Sequence, residues 1–232
     1  MTEDTSATIL TEYLIAQIPF FYLRYGDGAL ECIHKKGAGK TCDGELYTDE
    51  LAKALLDGWN TATKGTNVFI GDWRTTSFKA TDYTYTNEYE ALIAGKDLNF
   101  IHFHALLLRN SAPLLNFYQA LRSDKRRKLY VGPFQHSPVV DILKVKHLPV
   151  PIIPNLFNTV DILTEALEKS NCEIILYGAG MAGAIAALRC FEKYPKRTYV
   201  HLGSALDPLF RGRTRSDQIH PREAKDLFSE LV

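Results

Sequence analysis

The stretch from Glu173 to Phe191 reads EIILYGAGMAGAIAALRCF and decides the fold class. Its first part, Ile174–Tyr177, is a short apolar run typical of a buried strand. Gly178, Gly180 and Gly183 then fit the pattern G-x-G-x-x-G, which joins a strand to a helix through a tight turn. Small and apolar residues follow up to Phe191, as expected for a helix packed tightly on a sheet. The stretch therefore predicts a strand, a glycine turn and a helix in succession.

The same alternation repeats on both sides of this stretch. Thr48 is predicted to cap a helix in which Leu51 and Leu55 recur at helical spacing, and Asn158 with Asp161 resembles another capping pair. Alternating strands and helices predict one Rossmann-like α/β domain over residues 1–232, with a mostly parallel sheet and helices on both faces. Ligands in such sheets bind at the carboxyl ends of the strands. The apolar runs that predict strands are Phe20–Tyr25, Val68–Ile70, Phe100–Phe103, Leu129–Val131, Val150–Ile153, Ile174–Tyr177 and Tyr199–Leu202.

Composition narrows the class of protein. The 232 residues are 46% apolar and 23% charged, and 27 Lys and Arg balance 27 Asp and Glu. A neutral chain disfavours binding of nucleic acid or an anionic membrane over its whole surface, and a pI near 7.0 favours self-association into a homo-oligomer. The four cysteines show no zinc-site spacing and are expected to be reduced, as in a cytoplasmic protein. No apolar run reaches the roughly 20 residues of a transmembrane segment.

Arg24, Gly26, Asp27 and Gly28 follow the first predicted strand, whose run is Phe20–Tyr25. Two glycines around an aspartate let the backbone turn sharply and approach a ligand closely. The Arg24 guanidinium suits phosphate oxygens, and the Asp27 carboxylate suits a divalent metal. The alternative is a turn whose aspartate bonds locally, beside a surface arginine.

Residues Phe21 to Leu30 match F-x-x-R-[FY]-G-D-G-x-[LW], and this motif resembles the N-terminal signature of the GT-D fold glycosyltransferases of bacteria and phages, formerly a domain of unknown function. Further segments resemble that family in the same order along the chain: Cys42–Tyr47, Leu129–Pro133, Leu176–Gly180, His201–Pro208 and Arg213–Ser216 with His220. The resemblance implies transfer of a sugar from a nucleotide-diphosphate sugar, a UDP-sugar first of all, to a hydroxyl acceptor. It leaves the acceptor open among a glycan, a lipid-linked sugar, a protein and a modified nucleobase.

The chain departs from the family motif at position 29. The family carries Gly-Asp-Gly-Glu, an Asp-x-Glu pair for the metal and donor, and here the fourth residue is Ala29. By resemblance, Asp27 holds Mg²⁺ or Mn²⁺ or orients the donor. Asp43 and Glu45 form another Asp-x-Glu pair that would restore the metal ligands, and Glu31 is a further substitute. A metal-independent enzyme and a member without activity both stay open.

The glycine turn has three interpretations. Backbone N–H groups at a helix N-terminus favour an anion, so Gly178, Gly180 and Gly183 are candidates for holding donor phosphates together with Arg24, Gly26 and Gly28. The glycines are equally explained by close packing of helix on sheet. An NAD(P)-dependent oxidoreductase is the alternative enzyme. An NAD site usually has an acidic residue near the end of the next strand, where it holds the ribose, and Thr198–Leu202 contains no acidic residue.

Two further acids and a basic tail complete the candidates. Asp72 and Asp207 each follow a predicted strand and are candidate general bases for the acceptor hydroxyl, although both also suit turns. Arg215 and His220 belong to a locally basic tail that would offset the charge of a pyrophosphate leaving group, or form a solvated face. A non-catalytic nucleotide-binding protein is the third interpretation.

Overall fold

Seven parallel strands form one sheet in the order β3-β2-β1-β7-β6-β4-β5. A computed structural model describes residues 1–35, 39–40, 44, 46–75, 86–151, 156–210 and 221–229. The strands are β1 (Phe21–Leu23), β2 (Val68–Asp72), β3 (Asn99–His102), β4 (Lys128–Pro133), β5 (Lys146–Val150), β6 (Ile174–Tyr177) and β7 (Thr198–His201). The α/β fold with a parallel sheet is therefore confirmed.

Helices cover both faces of the sheet. They are α1 (Glu3–Ile15), α2 (Asp27–His34), α3 (Asp49–Ala62), α4 (Thr86–Ile93), α5 (Ala112–Ser123), α6 (Val139–Leu143), α7 (Val160–Lys169), α8 (Gly180–Lys193), α9 (Asp207–Phe210) and α10 (Pro221–Ser229). One apolar cluster joins the sheet to α2, α3, α4, α7 and α8, and we call this side the α8 face. A second cluster joins it to α1, α5, α6 and α10, and we call this side the α5 face. None of the helices in the described part of the chain is long and apolar enough to cross a bilayer.

Local signals account for most element boundaries, with two exceptions. The Thr48 hydroxyl accepts from the Leu51 amide at 3.1 Å, so the predicted cap of α3 is confirmed. The predicted Asn158 cap is wrong, because a 3₁₀ turn over Leu156–Thr159 leads into α7 and supplies no side-chain cap. The strand predicted at Val150–Ile153 is also misplaced, since β5 ends at Val150 and does not include Pro151; Ile152 and Ile153 lie outside the described residues. This edge strand is only partly buried, and an edge strand lacks the continuous apolar run of a central one.

The topology creates a crevice at the carboxyl ends of the central strands. After β1 and β6 the chain enters α2 and α8 on the α8 face, while after β4 it enters α6 on the α5 face. The strand β7 lies between β1 and β6. Neighbouring strand ends whose connections leave on opposite faces form the usual ligand crevice of an open parallel sheet.

Candidate active site

Arg24 lies beneath this crevice and ties its strand ends together. The side chain is 8% exposed and donates to the carbonyl oxygens of Phe103 and Leu202, each at 3.3 Å. Its guanidinium carbon also stands 4.8 Å from the centroid of the Phe103 ring. These contacts join the end of β1 to the segments that follow β3 and β7. The predicted phosphate contact of Arg24 stays a prediction, and the contacts seen are to the main chain.

Gly203 permits this position of Arg24. A β-carbon on Gly203 would stand 2.3 Å from Arg24 Nη2, and the residue has a φ of +54°. Both conditions exclude a larger side chain without a shift of Arg24 or strain in the backbone. The turn after β7 therefore needs glycine for the close approach of the guanidinium.

His201 and Tyr177 form a stacked pair next to Arg24. Their rings lie 4.7 Å apart at 16°, at paired positions of β6 and β7. Burial, and then the charge of Arg24, lower the pKa of His201 to about 3, so its imidazole is neutral at physiological pH. Within the described part of the chain, His201 Nδ1 and the Tyr177 hydroxyl are buried without a hydrogen-bond partner. Buried polar atoms of this kind call for an explanation, and a ligand is one.

The N-termini of α2 and α8 flank the end of β7 on the same face. The residue before α8, Ala179, gives no side-chain cap, and the first turn of α8 contains no acid. The residue before α2, Gly26, has no side chain, but Asp27 accepts from the Gly28 amide at 3.0 Å. Because two strand spacings separate β1 from β6, the two N-termini lie roughly 10 Å apart. The amides of α8 are therefore the more open of two neighbouring anion-binding positions.

Two physical reasons account for the three glycines of the turn. Gly178 donates to the Val131 carbonyl, and a β-carbon on it would stand 2.7 Å from the Tyr130 hydroxyl oxygen. Gly180 has a φ of +61°, which glycine adopts without strain. A β-carbon on Gly183 would stand 2.8 Å from that of Ala179. Packing therefore accounts for Gly178 and Gly183, while the backbone of Gly180 opens α8 toward the crevice.

Asp27 is exposed in the first turn of α2, and Glu31 lies one turn later. Glu31 accepts from the Tyr47 hydroxyl at 2.7 Å and pairs with Lys35. Ala29, at the departure from the family motif, is 7% exposed and packs in the core. No group of three or more metal-ligating side chains occurs among the residues that the structure describes. Asp43 and Glu45, predicted as metal ligands, lie outside the described residues, as do Arg215 and His220.

Asp72 and Asp207 have different surroundings. Arg74 contacts both carboxylate oxygens of Asp72, through Nε at 2.8 Å and Nη2 at 3.0 Å. This bidentate ion pair offsets the negative charge of the carboxylate that was predicted as a general base. Asp207 opens α9, where its Oδ1 lies 3.5 Å from His136 Nε2, and His136 Nδ1 lies 2.6 Å from the Tyr130 hydroxyl.

Tyr130 and His136 were missed by sequence reasoning. His136 lies three residues after β4, at the same edge of the sheet as Asp207. A histidine that follows a strand so closely could have been predicted as a candidate site residue from the sequence. Tyr130 lies inside a buried strand, and nothing in the sequence distinguishes it from an ordinary core residue. Two cavities lie elsewhere, one of about 600 Å³ between α1 and α5 and one of about 350 Å³ between α3 and α8, and none of these residues lines either of them.

Comparisons with known proteins agree with this geometry. No protein-family profile matches the chain, and no curated protein does. Among solved structures, "A New Glycosyltransferase (DUF1792) from Streptococcus sanguinis" aligns with a TM-score of 0.62 at 13% identity, over 88% of this chain and 81% of that chain. Another, described by "The highly conserved domain of unknown function 1792 has a distinct glycosyltransferase fold", aligns with a TM-score of 0.59 at 16% identity, over 87% and 82%. The chain has the fold of these DUF1792 structures.

Proposed function

We propose that the protein is a glycosyltransferase that uses a nucleotide-diphosphate sugar, in the first instance a UDP-sugar. One observation carries the proposal: α8 begins without a side-chain cap shortly after the end of β6, at the crevice of a sheet whose fold is that of the DUF1792 structures. Tyr177 at the end of β6 and His201 at the end of β7 each bury a polar atom without a hydrogen-bond partner among the described residues. A helix N-terminus favours a phosphate, and the buried polar atoms supply hydrogen bonds for a polar ligand.

The N-terminus of α8 is suited to stabilise the leaving group of a sugar transfer. Breaking the bond between a sugar and a diphosphate builds negative charge on the phosphate oxygen. The amides of α8 are oriented before the reaction, and fixed dipoles directed at developing charge stabilise a transition state by several kcal/mol. His201 adds no charge, because its low pKa keeps the imidazole neutral. The α8 N-terminus would therefore bind the donor and stabilise the departing nucleotide diphosphate.

A divalent metal is a separate part of the proposal. Asp27 supplies one exposed carboxylate at the crevice, whereas Glu31 is engaged by Tyr47 and Lys35. One carboxylate is a poor site for a hard cation, which prefers several oxygen ligands. The described residues thus do not by themselves fit Mg²⁺ or Mn²⁺, and metal binding would depend on Asp43 and Glu45. Asp27 is assigned to orienting the donor.

On the acceptor side we assign the general base to Asp207 rather than Asp72. Arg74 contacts both carboxylate oxygens of Asp72, so that these oxygens are already engaged where an acceptor hydroxyl would have to bind. In a direct displacement, Asp207 takes the proton of the acceptor hydroxyl. That oxygen bonds to the anomeric carbon as the bond from this carbon to the diphosphate oxygen breaks.

Calorimetry separates this function from the alternatives. The protein is titrated with UDP, UDP-glucose and NAD, each with Mn²⁺ and with EDTA, and UDP release is then measured over a panel of acceptors. The proposal expects binding of UDP and UDP-glucose, and sugar-dependent UDP release. Binding of NAD without a response to UDP would replace the proposal with a dinucleotide enzyme. Binding of UDP with no turnover on any acceptor would favour a non-catalytic nucleotide-binding protein.

A further inference from the structure

A buried row of three polar side chains crosses the α5 face at the carboxyl ends of β4 and β7. The Tyr130 hydroxyl lies 2.6 Å from His136 Nδ1, and His136 Nε2 lies 3.5 Å from Asp207 Oδ1. Tyr130 and His136 are almost wholly buried, and the Asp207 side chain is 11% exposed. Asp207 is thus the most exposed of the three, and it opens α9 shortly after the end of β7.

The surroundings fix the first member of the row. A β-carbon on Gly132 would stand 2.4 Å from the Tyr130 ring, and one on Gly178 would stand 2.7 Å from its hydroxyl oxygen. Two glycines at the ends of β4 and β6 therefore make room for this ring. Burial raises the pKa of Tyr130 well above its usual range, so the phenol keeps its proton and is a permanent donor.

The Asp207 carboxylate and the Tyr130 hydroxyl together favour one tautomer of His136. When the hydroxyl donates to Nδ1, the neutral imidazole carries its hydrogen on Nε2, which faces the Asp207 carboxylate. The opposite tautomer would place the Nε2 lone pair against that carboxylate, and the two would repel. The ring of Phe210 packs 5.2 Å from the imidazole and limits its rotation. Among the described residues His136 Nε2 makes no hydrogen bond, and at 3.5 Å Asp207 Oδ1 lies just beyond one. Catalytic hydrogen bonds are often long without substrate and shorten when it binds.

We propose that His136 is a positioning residue: its Nε2–H orients the Asp207 carboxylate for removal of the acceptor proton, and Tyr130 fixes the tautomer that permits this. The assignment rests on the proposed glycosyltransferase function. His136 touches neither substrate nor reacting atoms. It restricts the rotation of Asp207, and positioning of this kind matters because a misplacement of about 1 Å costs about 100-fold in rate.

The first test reads the tautomer without any substrate. In the full-length protein with ¹⁵N-labelled histidine, long-range ¹H–¹⁵N correlation spectra distinguish the two tautomers, and His136→Gln assigns the signal. We expect the Nε2–H tautomer for His136, with an Nε2 signal that moves in Asp207→Asn. An Nδ1–H tautomer, or an Nε2 signal that Asp207→Asn leaves unchanged, would overturn the proposal.

The second test compares two substitutions of one residue. Glutamine at position 136 keeps an N–H donor near the place of Nε2, whereas asparagine is too short to reach Asp207. Measured by UDP release, kcat should fall about 100-fold in His136→Asn and only several-fold in His136→Gln, with KM and Tm similar in the two variants. Equal losses in both variants would mean a purely structural role. If the wild-type protein releases no UDP from any UDP-sugar, the proposed function fails, and the tautomer spectrum still decides the geometry.

Discussion

Placing a negative charge on Gly180 tests the donor-phosphate position at α8. Gly180 is exposed in the first turn of α8 with a φ of +61°. Gly180→Asp and Gly180→Asn have the same shape and differ in one charge. Asn and Asp tolerate this backbone region better than other side chains, at a cost of about 1 kcal/mol. Both variants should therefore melt about 2–4 °C below the wild type.

The charge sets the difference in nucleotide affinity. A carboxylate about 5 Å from a phosphate charge costs about 3 kcal/mol at an effective dielectric constant of about 20. Since about 1.4 kcal/mol is tenfold in Kd, Gly180→Asp should bind UDP about 140-fold more weakly than Gly180→Asn. The asparagine variant should stay within several-fold of the wild type.

Isothermal titration calorimetry with UDP measures both affinities, and circular dichroism measures both melting temperatures. Raising the salt concentration should narrow the gap between the variants, because ions screen the repulsion. Equal affinities of Gly180→Asp and Gly180→Asn for UDP would refute the assignment of the phosphates to α8.

Three other predictions test the crevice. Asp27→Asn should abolish donor turnover and leave Tm nearly unchanged, because the carboxylate is exposed; a large fall in Tm would instead mark a structural turn residue. In urea unfolding, Gly203→Ala should lower the free energy of unfolding by more than Gly95→Ala does. Both glycines have a positive φ, but of the two only Gly203 lacks room for a β-carbon, because Arg24 lies against it. An equal cost would contradict the close packing. The neutral His201 imidazole stabilises the fold at pH values above the unfolded pKa of about 6.5, and this stabilisation is lost as the pH falls toward the folded pKa of about 3. His201→Gln lacks this titrating group. Between pH 6.5 and pH 3, the Tm of His201→Gln should therefore fall less steeply than the Tm of the wild type. Parallel curves would contradict a buried neutral imidazole.

The sequence predicts the central strands well for a physical reason. A strand buried on both faces is apolar throughout, as in Ile174–Tyr177, and the glycine turn after it marks where the helix begins. An edge strand carries no such run, so β5 was placed too late along the chain. The helix cap at Asn158 failed because a 3₁₀ turn and a cap can share the same local sequence.

Candidate site residues could be predicted from the sequence only where a charged residue or a glycine directly follows a predicted strand. Gly26, Asp27 and Gly180 were predicted in this way, and they lie at the N-termini of α2 and α8. The partners of Arg24 were not, because Phe103 and Leu202 lie 79 and 178 residues away along the chain. For the same reason Tyr130 seemed an ordinary core residue. Long-range contacts show that Arg24 also ties the strand ends together, while its phosphate contact stays a prediction. They also bring Tyr130 and His136 close to Asp207.

A crystal structure of the full chain with a UDP-sugar tests the central claim most directly. We expect diphosphate oxygens within hydrogen-bond distance of the first amides of α8, with the anomeric carbon between Asp27 and Asp207. A nucleotide bound away from the carboxyl ends of β1, β6 and β7, with the α8 amides facing only water, would contradict it.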